Sequence, residues 1–291
     1  MLDRIAPALF VLLWSTGWVV AKFATIFTGP LTFLSVRYAT AIVLFYMVCW
    51  IGGAVWPKDR VSVWHAMVSG MFLHGIYLGM VWWAIGQGVP AALSGIIAGL
   101  QPLLTGLAAT SLLGERLSPL QKAGLGIGFA GIAIAVAPKL FAADMGVGGV
   151  PAYAIIVNVV GMAAVTAGTL YQKRYLERGD IRAIAVFQYV GALCITLPFA
   201  LALEDRPIEF GFGFFATLAW SVIGISMGAV ALLLYLIRRG QVSRAASLIY
   251  LVPPLAAVEA AIIFGEPLTW PMVLGTVIVG FGVYLTNRSA A

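Results

Sequence analysis

Charged residues are scarce in this sequence: Asp, Glu, Lys and Arg make up 10% of 291 residues, where globular domains carry about 25%. With 62% hydrophobic residues and a mean hydropathy of +1.02, that scarcity excludes a soluble globular chain. Cysteine occurs only at Cys49 and Cys194, in apolar stretches expected to place them toward opposite membrane faces, so no disulfide is implied. His65 and His74 are the only histidines, too few for a metal site, and no cysteine lies near either in sequence. No G-x-x-x-x-G-K-[ST] loop is present, which removes nucleotide hydrolysis by that route. The apolar stretches hold no Asp, against an intramembrane aspartyl protease, and no nucleophile elbow appears. The chain is therefore not expected to be an enzyme, and no cofactor or resident metal is expected.

Long apolar runs are what the sequence has in abundance. A membrane-crossing helix needs roughly 20 apolar residues, and ten such runs can be placed: 5–24, 31–52, 65–86, 91–113, 119–137, 152–171, 183–201, 213–236, 245–264 and 270–287. Asp3 and Arg4 flank the first run and no small-x-small cleavage site follows, so it reads as a retained helix and not a signal peptide. The net charge of +6 is spread over loops and not gathered on a soluble domain, so nucleic acid is not an expected partner. With the N-terminus inside, the cytoplasmic segments hold Arg4, Lys58, Arg60, Arg116, Lys122, Lys173, Arg174, Arg178, Arg182, Arg238, Arg239, Arg244 and Arg288. The opposite loops hold Lys139 and Arg206. That asymmetry sets both termini in the cytoplasm by the positive-inside rule, in a multi-pass protein of the plasma (inner) membrane.

One stretch occurs twice. Gly88–Ser118 (GVPAALSGIIAGLQPLLTGLAATSLLGERLS) returns as Gly240–Thr269 (GQVSRAASLIYLVPPLAAVEAAIIFGEPLT). Each copy carries a mid-segment proline and closes on Gly-Glu-x-Leu-Ser/Thr, at an offset of 152 residues at the first Gly and 151 at the closing Gly-Glu. The boundary falls in the 138–151 loop, giving a first repeat over 1–140 (helices 1–5) and a second over 151–291 (helices 6–10). Five helices is an odd number, so the second repeat enters the membrane from the opposite side. The expected fold is all-α, with ten transmembrane helices in two five-helix inverted-topology repeats, a plan that places a substrate site near the midplane between repeats.

The LLWSTGWVVAKFA of helix 1, the FLSVRYATAIVLF of helix 2 and the two Gly-Glu closings carry a resemblance. With Trp14, Lys22, Arg37, Gly114-Glu115, Gln121-x-x-Gly124 and Gly265-Glu266 in order, the chain resembles the EamA branch of the drug/metabolite transporter superfamily. The resemblance implies a ten-helix metabolite exporter whose substrates include amino acids and drugs, with a cavity lined mainly by helices 1, 3, 4, 6, 8 and 9. The second repeat departs from the pattern: Val165 replaces the Trp, Gln188 stands where Arg37 does, and Trp270-Pro271 follows Thr269.

Several motifs divide between a chemical and a packing reading. Gly126–Gly131 matches G-x-G-x-x-G but lies within an apolar run, with no strand before it and no acidic residue about 20 further on. Gly124 and Gly128, with Gly275, Gly280 and Gly282 in helix 10, read instead as small-residue stripes for close helix approach. Glu115 and Glu266 read as turn residues before the helix-capping Ser118 and Thr269. Trp56 and Trp270 read as interfacial anchors.

Pro102, Pro253 and Pro254 interrupt helices 4 and 9, and broken helices in corresponding halves point to a binding site and hinge; the competing reading is a kink that only shapes packing. At the same depth lie polar and aromatic side chains that lipid penalises: Trp14 and Trp18, His74 and Tyr77, Gln101, Asn158 and Thr166, Ser221 and Ser226, and Tyr250. Some of these are expected as glue between helices. Lys22, Arg37 and Glu259 are ionisable residues inside the apolar runs, and they are expected as a charge cluster in which Glu259 pairs with Lys22 or Arg37. Such a cluster suits an outer gate or proton-responsive element; snorkelling to the headgroups is the alternative. The expected function is secondary transport by alternating access, exporting small metabolites, with neutral or aromatic amino acids preferred. The alternatives are a multidrug or cation exporter, recognised through cation–π contact, and a channel-like facilitator. The partners implied are a small-molecule substrate and the lipid bilayer, and the protein is a monomer or a homodimer.

Overall fold

The apolar runs become helices because a helix satisfies every backbone group internally, which the bilayer interior demands. The computed structural model describes residues 2–113, 118–144, 150–176, 179–232, 235 and 251–287. These hold α1 (Leu2–Phe27), α2 (Pro30–Ile51), α3 (Arg60–Gly86), α4 in two pieces (Ala91–Ile97 and Leu100–Leu113), α5 (Pro119–Asp144), α6 (Ala152–Tyr175), α7 (Ile181–Leu203), α8 (Phe212–Leu232), α9 (Val252–Phe264) and α10 (Trp270–Asn287). Eight of them, α1 to α8, are long and apolar enough to cross a membrane, and α9 and α10 are shorter apolar helices. The molecule is an all-α, multi-spanning membrane protein.

Three element limits differ from the sequence expectation. α3 begins at Arg60 and not residue 65, because Asp59 caps it by accepting from the Ser62 amide. α5 continues through Pro138 to Asp144, into what reads as a loop. In α9 the described helix starts at Val252 with Pro253 and Pro254 in its first turn, where a missing N–H costs nothing; residues 236–250 lie outside the described residues.

Cross-links define the two ends of the bundle. At one end Glu204, after α7, accepts the amides of Leu31 and Thr32 at 2.9 and 2.8 Å, and Arg206 donates to the Thr25 and Ile26 carbonyls. At the other end Arg182 donates to Gly52 O, and the Tyr171 hydroxyl meets His65 Nδ1 at 2.6 Å. α7 thus runs antiparallel to α2, and α6 antiparallel to α3. α7 also lies hard against α3, where a Cβ on Gly70 or Gly191 would overlap the backbone of Gln188 or Met67.

The glycine stripes do what packing requires. A Cβ on Gly124 would stand 2.7 Å from Gly282 O, and one on Gly131 2.8 Å from Val279 N, so α5 and α10 meet backbone to backbone. Gly126 and Gly280 have open space around them and take no part. On the outside, Phe212, Trp270, Ile262 and Leu201 are largely exposed, the surface a lipid environment covers. The first piece of α4 has every residue buried, as an apolar run without a polar face requires.

Candidate substrate site

Two helices carry a π-helical segment: Met71–Ile76 in α3 and Trp220–Ala229 in α8. At the 152-residue offset between the repeated stretches, the first segment corresponds to residues 223–228, inside the second. A π turn bonds i to i+5, leaves carbonyls free for outside donors and occurs often at functional sites. Both segments face neighbouring residues of α2. Tyr38, fully buried, donates its hydroxyl to the His74 carbonyl at 2.8 Å. Arg37, 5% exposed, donates Nη2 to Ser226 Oγ at 3.0 Å, and Ser226 Oγ donates to the Ser221 carbonyl five residues back at 3.2 Å.

Aromatic rings surround this polar line. The His74 ring stacks on Tyr189 of α7 at 4.8 Å and 20°, and Tyr189 also meets Tyr38 at 5.8 Å. Trp82 of α3, buried, lies 5.5 Å from the Arg37 guanidinium and 5.9 Å from the Phe33 ring. Trp18 of α1 is buried, with its indole N–H lacking a partner among the described residues, and Trp14 packs half-buried against Phe10 at 5.4 Å.

The remaining expected site residues divide. Asn158 is fully buried and donates to Ser94 of α4 at 2.7 Å, which makes it glue between α6 and α4, while its Oδ1 has no partner among the described residues. Thr166 bonds the Met162 carbonyl of its own helix. Tyr77 and Gln101 are half-buried on α3 and α4, and Tyr250 lies outside the described residues. Pro102 has no N–H for the Ala98 carbonyl, and α4 breaks at Ala98–Gly99, one turn before it. A cavity of about 350 Å³ opens elsewhere, between α4, α5 and α6; its walls, including Leu100, Leu104, Phe129 and Leu140, are apolar and hold none of these residues.

The expected charge cluster is not formed. Lys22 pairs with Glu266, Glu259 accepts from Ser15 at 2.7 Å, and Arg37 bonds Ser226. α1 and α9 run parallel, so residues 15 and 22 meet residues 259 and 266 in the same register. Lys22 therefore stands two turns from Glu259, opposite a carboxylate that the sequence reading assigns to a turn. Glu266 is 8% exposed and also accepts the Ala91 and Ala92 amides at 3.1 and 2.9 Å. Its Glu115 counterpart lies outside the described residues. Among the described residues outside the expected set, Tyr38, Trp82, Tyr189 and Ser94 complete these contacts; each sits in an apolar run with no local signal of the face it presents.

A multi-helix membrane bundle with buried polar groups on broken or π-turned helices is an arrangement that membrane transporters use. The chain belongs to the EamA-like transporter family, whose profile matches residues 5–137 and 152–288, and so to the drug/metabolite transporter superfamily. It is similar to the uncharacterized transporter YvbV of Bacillus subtilis (strain 168), with 25% identity over 292 residues covering 97% of this chain and 90% of that one. It is similar to the "probable amino-acid metabolite efflux pump" of Salmonella typhimurium, 22% identical over 301 residues, 97% of this chain and 94% of that protein. The uncharacterized inner membrane transporter YedA of Escherichia coli (strain K12) is 25% identical over 287 residues, 96% and 91%. A solved crystal structure shares the fold at a TM-score of 0.65 and 18% identity, covering 97% of this chain and 96% of that chain. The protein is a secondary transporter of small metabolites and not an enzyme.

Proposed function

We propose that this transporter exports neutral or aromatic amino acids across the inner membrane by alternating access, its two repeats inverted and rocking against each other. The observation that carries the reading is the pair of π segments in α3 and α8, which hold His74 and Ser226 against the adjacent Tyr38 and Arg37 of α2. Rings beside a few fixed polar groups suit a zwitterion with an apolar side chain. The amino-acid efflux named for the Salmonella relative supports the same substrate class.

Inversion is supported by the odd helix count expected for each repeat and by the antiparallel course of α2 and α7, which correspond at the repeat offset. α4 and α9 would supply the hinges, at Pro102 and at Pro253–Pro254. The end bearing Lys58, Arg60, Lys173, Arg174 and Arg182 would face the cytoplasm.

Counterflow in proteoliposomes, with the purified chain and a panel of labelled amino acids, tests the reading. Saturable uptake accelerated by unlabelled substrate inside is expected. A flux that rises linearly with concentration and shows no counterflow would leave a channel-like facilitator in its place.

A further inference from the structure

The charges within the membrane-spanning part are not equally matched. Lys22 has Glu266, whereas Glu259 has the neutral Ser15 hydroxyl on one oxygen and no partner among the described residues on the other. Arg37, nine-tenths buried in α2, has no carboxylate partner among the described residues; its hydrogen bond is to the neutral Ser226 hydroxyl. A guanidinium stays charged at every physiological pH, and a buried charge without a counter-ion is costly, so such groups inside membranes face a pathway or a partner.

The geometry of that guanidinium says what the partner is. Nε–H and one Nη2–H point the same way and form the edge that grips a carboxylate with two parallel hydrogen bonds. Here Nη2 meets Ser226, while Nε is buried with no hydrogen-bond partner among the described residues. The guanidinium carbon also lies over the Trp82 ring, 5.5 Å from its centroid. The Ser226 hydroxyl keeps its own hydrogen bond to the Ser221 carbonyl when the guanidinium contact is given up. A carboxylate arriving at the edge would therefore displace one neutral contact and satisfy two donors.

We infer that Arg37 is the anion anchor of the transport site, and that the substrates are small monocarboxylates, zwitterionic amino acids included, held by their carboxylate on the Nε–Nη2 edge. The inference rests on the transport reading above and deepens it. It disfavours organic cations as cargo, because a fixed positive charge at the site repels them. Gln188, which stands where the second repeat would carry an arginine, bonds Ser69 and Gln172 and has no net charge to offer, so one anion site is expected per chain.

The test uses the full chain in detergent and in proteoliposomes, with three carboxylates (L-phenylalanine, L-leucine and benzoate) and their amides as probes. At least one carboxylate should raise the melting temperature, and its amide should not. Arg37→Gln should weaken that carboxylate's effect at least ten-fold in concentration, and Arg37→Lys should weaken it less. Without ligand, Arg37→Gln should melt at or above the parent temperature, because it removes an unmatched buried charge. An amide as effective as its acid, an undiminished response in Arg37→Gln, or no response to any of the three acids would each overturn the inference. Carboxylate stabilisation without counterflow would leave the anion site standing and remove the transport reading. Counterflow of an acid that is unchanged in Arg37→Gln would do the reverse.

Discussion

Glu266 follows Gly265, whose φ of +65° ends α9 in the left-handed conformation that glycine adopts without strain. The turn aims the carboxylate at the start of α4, where two amides following Pro90 would otherwise lack partners. Glu204 does the same for α2 after Pro30. An anion at a helix N-terminus is also favoured by the helix dipole. Glu266→Ala leaves two buried amides without an acceptor and Lys22 without its carboxylate, and a loss of about 2–3 kcal/mol is expected. Glu266→Gln, which keeps an acceptor, should lose less; thermal unfolding of both variants in detergent checks the order. Asp180 belongs to the same scale. Chiefly through the hydrogen bonds of the Arg182 side chain, and also through the backbone amides of Arg182 and Val55, its carboxyl is held down to about 2. Its contribution is therefore complete above pH 4, the ordinary carboxylate range, and fades as pH falls through about 2. Asp180→Asn should melt below the parent at pH 7, and the gap should close as the buffer is taken from pH 4 to pH 2.

Among elements, α4 shows how one residue sets a break that appears elsewhere. Pro102 offers no N–H, its ring crowds the Ala98 carbonyl, and the helix parts at Ala98–Gly99. Pro102→Ala would allow a bond from residue 102 to Ala98 and a straighter α4. If the break is a hinge, counterflow should slow several-fold with the half-saturating concentration nearly unchanged; turnover equal to the parent would make the kink architectural. The π segments of α3 and α8 lie beyond such reading. Neither contains proline, and a π turn reflects how one helix fits its neighbours. His74, within the π turn at 71–76, stacks on Tyr189 of α7, a partner that no local spacing indicates.

On the scale of the whole molecule, apolar exterior and buried polar contacts follow from one solvent fact: lipid offers no hydrogen bonds. The end that carries Lys58, Arg60, Lys173, Arg174 and Arg182 is the one expected to face the cytoplasm. A fluorescent protein fused to the C-terminus should fluoresce in cells, and alkaline phosphatase at the same position should be inactive. The opposite pair of results would invert the topology and exchange the two faces.

Composition and apolar run length by themselves determined that the chain is a multi-spanning helical membrane protein, because the cost of placing polar backbone or charge in lipid depends on local sequence alone. The duplicated stretch and the glycine spacing were equally legible, since close helix approach requires small residues at fixed intervals. Partnership was not. Lys22 sits eight residues before Pro30 and Arg37 seven after it, a spacing that suggests one cluster with Glu259; the register of α1 against α9 gives Lys22 to Glu266 and leaves Arg37 without an acid among the described residues. Which charge meets which depends on helix rotation and offset, and these are set by side-chain packing across helices distant in sequence. Only the tertiary structure decides that.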